Sequence, residues 1–271
     1  FLARRYLPGN PTRVEGRRFD FPSEVLNALT FGLFIGCVEA FSHGLSFRWI
    51  VAGVVLLAGI GTVFVRRQLR QPYPMLPFDL LRIPVFSLSV LTSILSFTSQ
   101  MLGMVALPFM FHLTFGMNAA ETGLLMTAWP LVIVVAGPLA GTLATKIHPG
   151  LLGGVGLLLM SVGCFLLADV SPSVGYGGLV ARLMLCGFGF GLFQSPNNHL
   201  LLSSAPSYRT GGASGMQATA RLVGQTTGAA LVALLFYLNG DRAPHAAMWL
   251  AGGFTLCGSL VSCSRLRAHR F

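Results

Sequence analysis

Residues 186–206 read CGFGFGLFQSPNNHLLLSSAP. Gln194, Asn197 and Asn198 recur there at i, i+3 and i+4, which places three amides on one face of a helix. The stretch GGASGMQATARLVGQTTGAAL (211–231) repeats the device, with Gln217, Arg221 and Gln225 spaced four residues apart. Amides donate and accept hydrogen bonds but do not titrate, so they bind rather than catalyse. In so apolar a setting they must face partners or water. Two readings follow for each set: the wall of a polar cavity, or hydrogen bonds between helices.

Other residues share this character. Ser89, Ser93, Ser96 and Gln100 stand at i, i+4, i+7 and i+11, a single helical stripe, with Phe97, Met101 and Met104 nearby. The serines read as glue between helices or as cavity wall. Gln100 and Met101 are candidates for contact with a ligand. Trp129, followed by Pro130, marks a kink, and its ring is a candidate stacking surface for a flat cation or a core tryptophan. Glu121 fits the amino end of a helix. Pro196 removes a backbone hydrogen bond to Leu192 and with Gly187, Gly189 and Gly191 forms a candidate pivot. Arg221, a cation deep in an apolar run, either orders an interface or extends its head to the membrane surface.

The glycine run is not a phosphate loop. That loop needs a strand before it, a helix after it and amides open to water. No nucleophile with a base, no acid pair and no metal-ligand spacing occurs in the apolar runs, so no catalytic, metal or cofactor site is expected. The five cysteines, Cys37, Cys164, Cys186, Cys257 and Cys263, read as small buried hydrophobes.

These residues need a scaffold, and composition identifies its solvent. Of 271 residues, 54% are hydrophobic and only 10% charged, with mean hydropathy +0.72. Soluble domains carry about 25% charged residues, so the surroundings are a lipid bilayer. Net charge is +10, but the basic residues cluster between apolar runs and make no face for nucleic acid.

A crossing takes about 20 apolar residues. Eight stretches qualify: 22–42, 48–65, 85–111, 121–144, 151–168, 176–202, 212–238 and 245–263. The expected fold is therefore an all-α membrane protein of eight transmembrane helices. Of the 18 Lys and Arg residues, fourteen fall in one set of loops, Arg17, Arg67, Lys146, Arg209 and Arg265 among them. Arg48 and Arg242 fall in the opposite loops, and Arg182 and Arg221 within spans. This bias places both termini in the cytoplasm.

A basic, proline-rich connection (66–84) separates the first two spans from the other six. Its segment PMLPFDLLRIP is expected to lie along the membrane surface through Met75, Leu76, Phe78, Leu80 and Leu81. The six remaining spans divide into two sets of three. In each set the third span, 151–168 or 245–263, has little polar content and is expected to face lipid. That is the pattern of a 3+3 inverted repeat, with binding at the repeat interface.

Two segments carry a family resemblance. GFGFGLFQSPNNHLLLSSAP with RTGGASGMQATARLVGQTTGAAL resembles the late helices of major facilitator superfamily exporters, in the fourteen-span drug:proton antiporter branch that exports methyl viologen and quaternary ammonium compounds. GPLAGTLATKIHPG (137–150) resembles the carboxyl-half copy of the superfamily's cytoplasmic loop motif, matching at Gly141, Leu143, Ala144, Lys146 and Gly150. Thr145 stands where an acid is common.

The resemblance covers nearly the whole chain. It implies that residues 1–84 hold the tail of a preceding helix (Phe1–Pro8), two linker helices and the basic connection. Residues 85–271 then form a carboxyl-terminal six-helix bundle whose amino-terminal partner half is missing. It implies a proton-coupled exporter of amphipathic, drug-like cations in the bacterial cytoplasmic (inner) membrane, working by alternating access. Gln100, Met101, Trp129, Gln194, Asn197, Asn198, Gln217 and Gln225 would line its cavity. Arg221, Pro196, Gly141 and Lys146 would serve coupling or the interface between halves. The competing expectation is a non-transporting fragment or a helical subunit that needs a partner.

Overall fold

The computed structural model describes residues 20–42, 47–70 and 78–268. Among them the ordered elements are all helical. The helices are α1 (Phe21–Ser42), α2 (Phe47–Arg70), α3 (Pro84–Phe115), α4 (Ala119–Met126), α5 (Ala128–Leu143), α6 (Pro149–Ala168), α7 (Tyr176–Ser203), α8 (Thr210–Asn239) and α9 (Ala243–Ala268). Each expected stretch is helical. Among the described residues, six continuous stretches are long and apolar enough to cross a membrane; the last, Ser207–Leu266, runs through α8 and α9. Phe1–Pro8, with Met75 and Leu76 of the connection, lies outside the described residues.

Local chemistry sets the helix ends. Pro130 cannot donate to the carbonyl of Met126 and its ring crowds that oxygen. Met126 is the last residue of α4, and Thr127 separates α4 from α5. The expected kink is thus a break, three residues ahead of the proline. Asn118 and Glu121 close the other end of α4 with a capping box: the Asn118 side chain accepts from Glu121 N, and Glu121 Oε2 accepts from Asn118 N, both at 2.9 Å. Gly116, at φ 66°, ends α3. α3 has 32 residues, about 48 Å at 1.5 Å per residue. That exceeds a hydrocarbon core of about 30 Å, so α3 tilts or protrudes.

Packing follows a repeating scheme. α3 lies against α8 and α9, α7 against α5 and α6, α6 against α9, and α3 against α7. Exchanging α3, α5 and α6 for α7, α8 and α9 returns each of these pairs; α8 also lies against α9, with no comparable contact between α5 and α6. α1 pairs with α2 and docks on α8.

The glycine run explains the closeness of α7 to its neighbours. A Cβ on Gly187 would stand 2.4 Å from the Trp129 carbonyl oxygen, and one on Gly191 2.7 Å from Ala136 Cβ. These two face α5. A Cβ on Gly189 would stand 2.5 Å from Gly156 O and Met160 N on α6. The alternation therefore serves two helices from opposite sides of α7, which passes unbroken through the buried Pro196. Gly224 and Gly228 bring α8 equally near Ile94 and Thr98 of α3.

Serine hydroxyls bond across two other seams, those of α9 with α3 and with α6. Ser99 donates to Ala251 O at 2.9 Å; Ser161 to Gly252 O, Ser259 to Gly154 O and Ser262 to Gly150 O, each at 2.8 Å. α6, expected to face lipid, does so along one stripe only: Leu151, Val155, Leu158, Val162 and Leu166 are exposed, while Leu152, Leu157, Met160, Cys164 and Leu167 are buried. The sequence expectation missed that its glycines and serine make the opposite face a close-packed seam.

The main core gathers Leu102, Met110, Trp129, Leu157, Met160, Leu183 and Phe190. A second cluster joins Phe64 of α2, Leu80, Phe86, Leu201 and Ala213. Leu80, expected in the membrane surface, is 4% exposed. The short helix Phe78–Arg82 turns it inward onto α3, and Asp79 pairs with Arg209 at 2.9 Å.

Candidate functional site

The amides of α7 do not act together. Helical neighbours differ by about 100° in direction, and that rotation separates Asn197 from Asn198. Asn197 is 1% exposed. Its Nδ2 donates to Ser93 Oγ at 2.8 Å, and its Oδ1 accepts from Arg265 at 2.7 Å. Asn198 and Gln194, one turn apart, face a cavity instead.

That cavity, of about 530 Å³, lies between α3, α7 and α8. Gln194 and Asn198 form one wall. Ser214, Gln217, Arg221 and Gln225 form the other, at intervals of three or four residues, and Phe97 contributes an aromatic face. Arg221 places its guanidinium carbon 5.7 Å from the centroid of the Phe97 ring, within cation–π range. The ring in turn packs edge-on against Phe190, centroids 5.6 Å apart. The lining combines amide donors and acceptors, a hydroxyl, one cation and an aromatic floor, a set suited to orienting a ligand by hydrogen bonds.

The other expected site residues lie elsewhere. Trp129 is fully buried, its ring 3.2 Å from where a Gly103 Cβ would stand, so it offers no face to the cavity. The reason is glycine: Gly103 and Gly187 leave the space that the indole and its backbone fill. Gln100 and Met101 are half-buried on α3 and do not line this cavity. Gly141 and Lys146 are exposed at the end of α5, with Gly141 in ordinary contact range of Ser195. His199 is exposed.

One residue was misjudged by local reasoning. Arg265, counted among the basic loop residues, lies inside the bundle at 1% exposure. Its Nη1 donates to Ser89 Oγ at 3.0 Å as well as to Asn197; its Nε donates to Ser262 O at 3.3 Å, and Nη2 to Ser262 Oγ. All four acceptors are neutral. The guanidinium thereby joins α3, α7 and α9. The signal available in the sequence was the i, i+4 pair Ser89 and Ser93 on α3, which supplies an acceptor to Arg265 and another to Asn197.

The family profile of the Major Facilitator Superfamily matches residues 25–229 and, in an overlapping match, 88–269. The chain is 49% identical over 269 residues to the uncharacterized transporter YebQ of Escherichia coli (strain K12), covering 99% of this chain and 59% of that protein. It is 28% identical to the multidrug efflux pump LfrA of Mycolicibacterium smegmatis, covering 80% of this chain and 43% of the pump. It is also 28% identical to the multidrug resistance protein Stp of Mycobacterium tuberculosis, covering 84% and 43%. The chain thus spans between two fifths and three fifths of the relatives it matches.

Proposed function

The chain belongs to the Major Facilitator Superfamily, and from that membership we propose that it is the carboxyl-terminal portion of a multidrug exporter. The transporter would move amphipathic compounds by alternating access, driven by proton entry. One observation carries the reading: side chains spaced one turn apart on two helices converge on one cavity, two from α7 and three of the amide and guanidinium groups from α8. A multidrug efflux pump and a multidrug resistance protein among the relatives agree with it.

On this reading α3 to α9 form the six-helix half, α4 and α5 counting as one crossing. The exchange symmetry of their packing supports a 3+3 inverted repeat. α1 and α2 are linker helices, and the basic end of the bundle faces the bacterial cytoplasm. The cavity is this half's share of a midplane site. Gln194, Asn198, Gln217 and Gln225 hold the substrate, with Arg221 at the interface between halves. Gln100 and Met101, on α3, are further candidates for substrate contact, whereas Trp129 is buried in the main core. Asn197 sets its rotation, Pro196 supplies the pivot, and Gly141 with Lys146 meets the other half at the cytoplasmic loop. The countercharge for a cationic drug and the proton site belong to the amino-terminal half.

The test is dye efflux from proteoliposomes holding the full polypeptide that contains this chain, under an imposed proton gradient. Efflux that stops when a protonophore collapses the gradient is expected. Efflux that persists removes proton coupling, and no efflux removes the export reading. The second reading is a helical subunit that needs a separate partner half. It predicts efflux only when a separately encoded half is co-reconstituted.

A further inference from the structure

The cavity gathers polar groups that the bundle does not employ. Elsewhere, serine and threonine hydroxyls, Asn197 and Arg265 spend their hydrogen bonds on the protein. In the cavity, Gln194, Asn198, Gln217, Gln225 and Arg221 make no hydrogen bond or ion pair among the described residues, apart from the contact of Arg221 with Phe97. Five side chains with unspent capacity point into one volume of about 530 Å³.

Their charge is one-sided. Arg221 is the only ionisable residue in the lining, and no carboxylate lines it. A guanidinium presents five N–H donors and no acceptor, in a fork that matches a carboxylate, sulfonate or phosphate. A cation placed here meets a like charge that nothing in this wall offsets. Phe97, 5% exposed, lies beneath the guanidinium and holds it by its ring face.

We propose that this half of the cavity recognises the anionic end of an amphipathic substrate. Arg221 forms the ion pair, Gln217 and Gln225 one turn to either side fix its orientation, and Gln194 and Asn198 accept or donate from the opposite wall. The inference rests on the reading of this cavity as a substrate site. It makes substrates with an acidic group, or with a cation and an acid at opposite ends, the class that fits.

The experiment measures binding separately from transport. The full polypeptide is placed in phosphatidylcholine nanodiscs, and fluorescence polarisation follows carboxyfluorescein and a rhodamine ethyl ester, an anion and a cation on the same ring system. Carboxyfluorescein is expected to bind the more tightly. Arg221→Gln is expected to weaken it at least tenfold, and Arg221→Lys by less. Gln217→Glu, which sets a carboxylate one turn from Arg221, is expected to weaken the anion and strengthen the cation; its elution as a monodisperse peak shows that it folds. Anion affinity within twofold of the parent in Arg221→Gln overturns the proposal. Complete displacement of the dye by added phosphatidylglycerol also overturns it, because the occupant is then a lipid headgroup. Failure of the export reading looks different: the dye binds as expected yet does not cross a sealed membrane.

Discussion

The Arg265 guanidinium donates to Asn197 Oδ1 at 2.7 Å, across 68 residues of sequence. Asn197 sits beside Asn198, which faces the cavity. The bond therefore fixes the rotation of α7 at the place where that helix meets a candidate ligand. A cation in a membrane bundle costs about 3 kcal/mol on insertion scales. Here four neutral acceptors replace its water.

Removing either partner of that bond deprives the other, buried, of one of its hydrogen bonds. Asn197→Leu is expected to destabilise by about 2–3 kcal/mol, the range for a lost hydrogen bond to a charged group. Arg265→Gln is expected to cost at least as much, because Ser89 and Asn197 both lose a donor. Thermal unfolding in detergent micelles reads both. A double-mutant cycle is expected to give a coupling energy well above zero; additive effects would show that the bond does not act as a unit.

The glycines of α7 differ from those at the start of α8. Gly189→Ala drives a methyl against the α6 backbone and is expected to destabilise by about 1–3 kcal/mol or more. Gly211→Ala meets nothing within 4 Å and is expected to be neutral or stabilising by up to about 1 kcal/mol. Midpoints of thermal unfolding for the two variants are expected to move in opposite directions or far apart.

Trp129 is structural on this geometry. Trp129→Ala opens a void in the main core and is expected to cost about 3–5 kcal/mol. Its Nε1 is buried with no acceptor, so Trp129→Phe forfeits no hydrogen bond and is expected to retain much of the stability. Dye affinity in Trp129→Phe is expected to match the parent, a result that separates this residue from the cavity wall.

Two surface features predict small effects. Asn118→Ala breaks the capping box of α4 and is expected to cost about 0.5–2 kcal/mol. Asp79→Asn breaks an ion pair whose acid is 47% exposed and is expected to cost under about 1 kcal/mol, an effect that shrinks with added salt. Salt titration of the melting temperature distinguishes the two.

The helical stretches were legible because their causes are local. Apolar run length sets each helix, and prolines and glycines set its ends; the observed bounds fall within about five residues of the expected ones. The break before Pro130 and the cap at Glu121 follow from chemistry spanning four residues. The spacing of Gln194, Gln217, Arg221 and Gln225 already aligned them on helix faces.

Direction was not legible, because a helix face has meaning only against a neighbour. Whether an amide meets a cavity or a serine depends on which helix lies beside it. Asn197 and Asn198 therefore read alike in sequence and part in space. Trp129 became core through two glycines, 26 residues before it and 58 after. Arg265 is buried because Ser89, 176 positions away, and Asn197 come within reach to replace its water. The sequence alone determined which stretches are apolar helices and, to within a few residues, where they stop; tertiary packing decided which polar side chains are spent inside the bundle and which are left to bind.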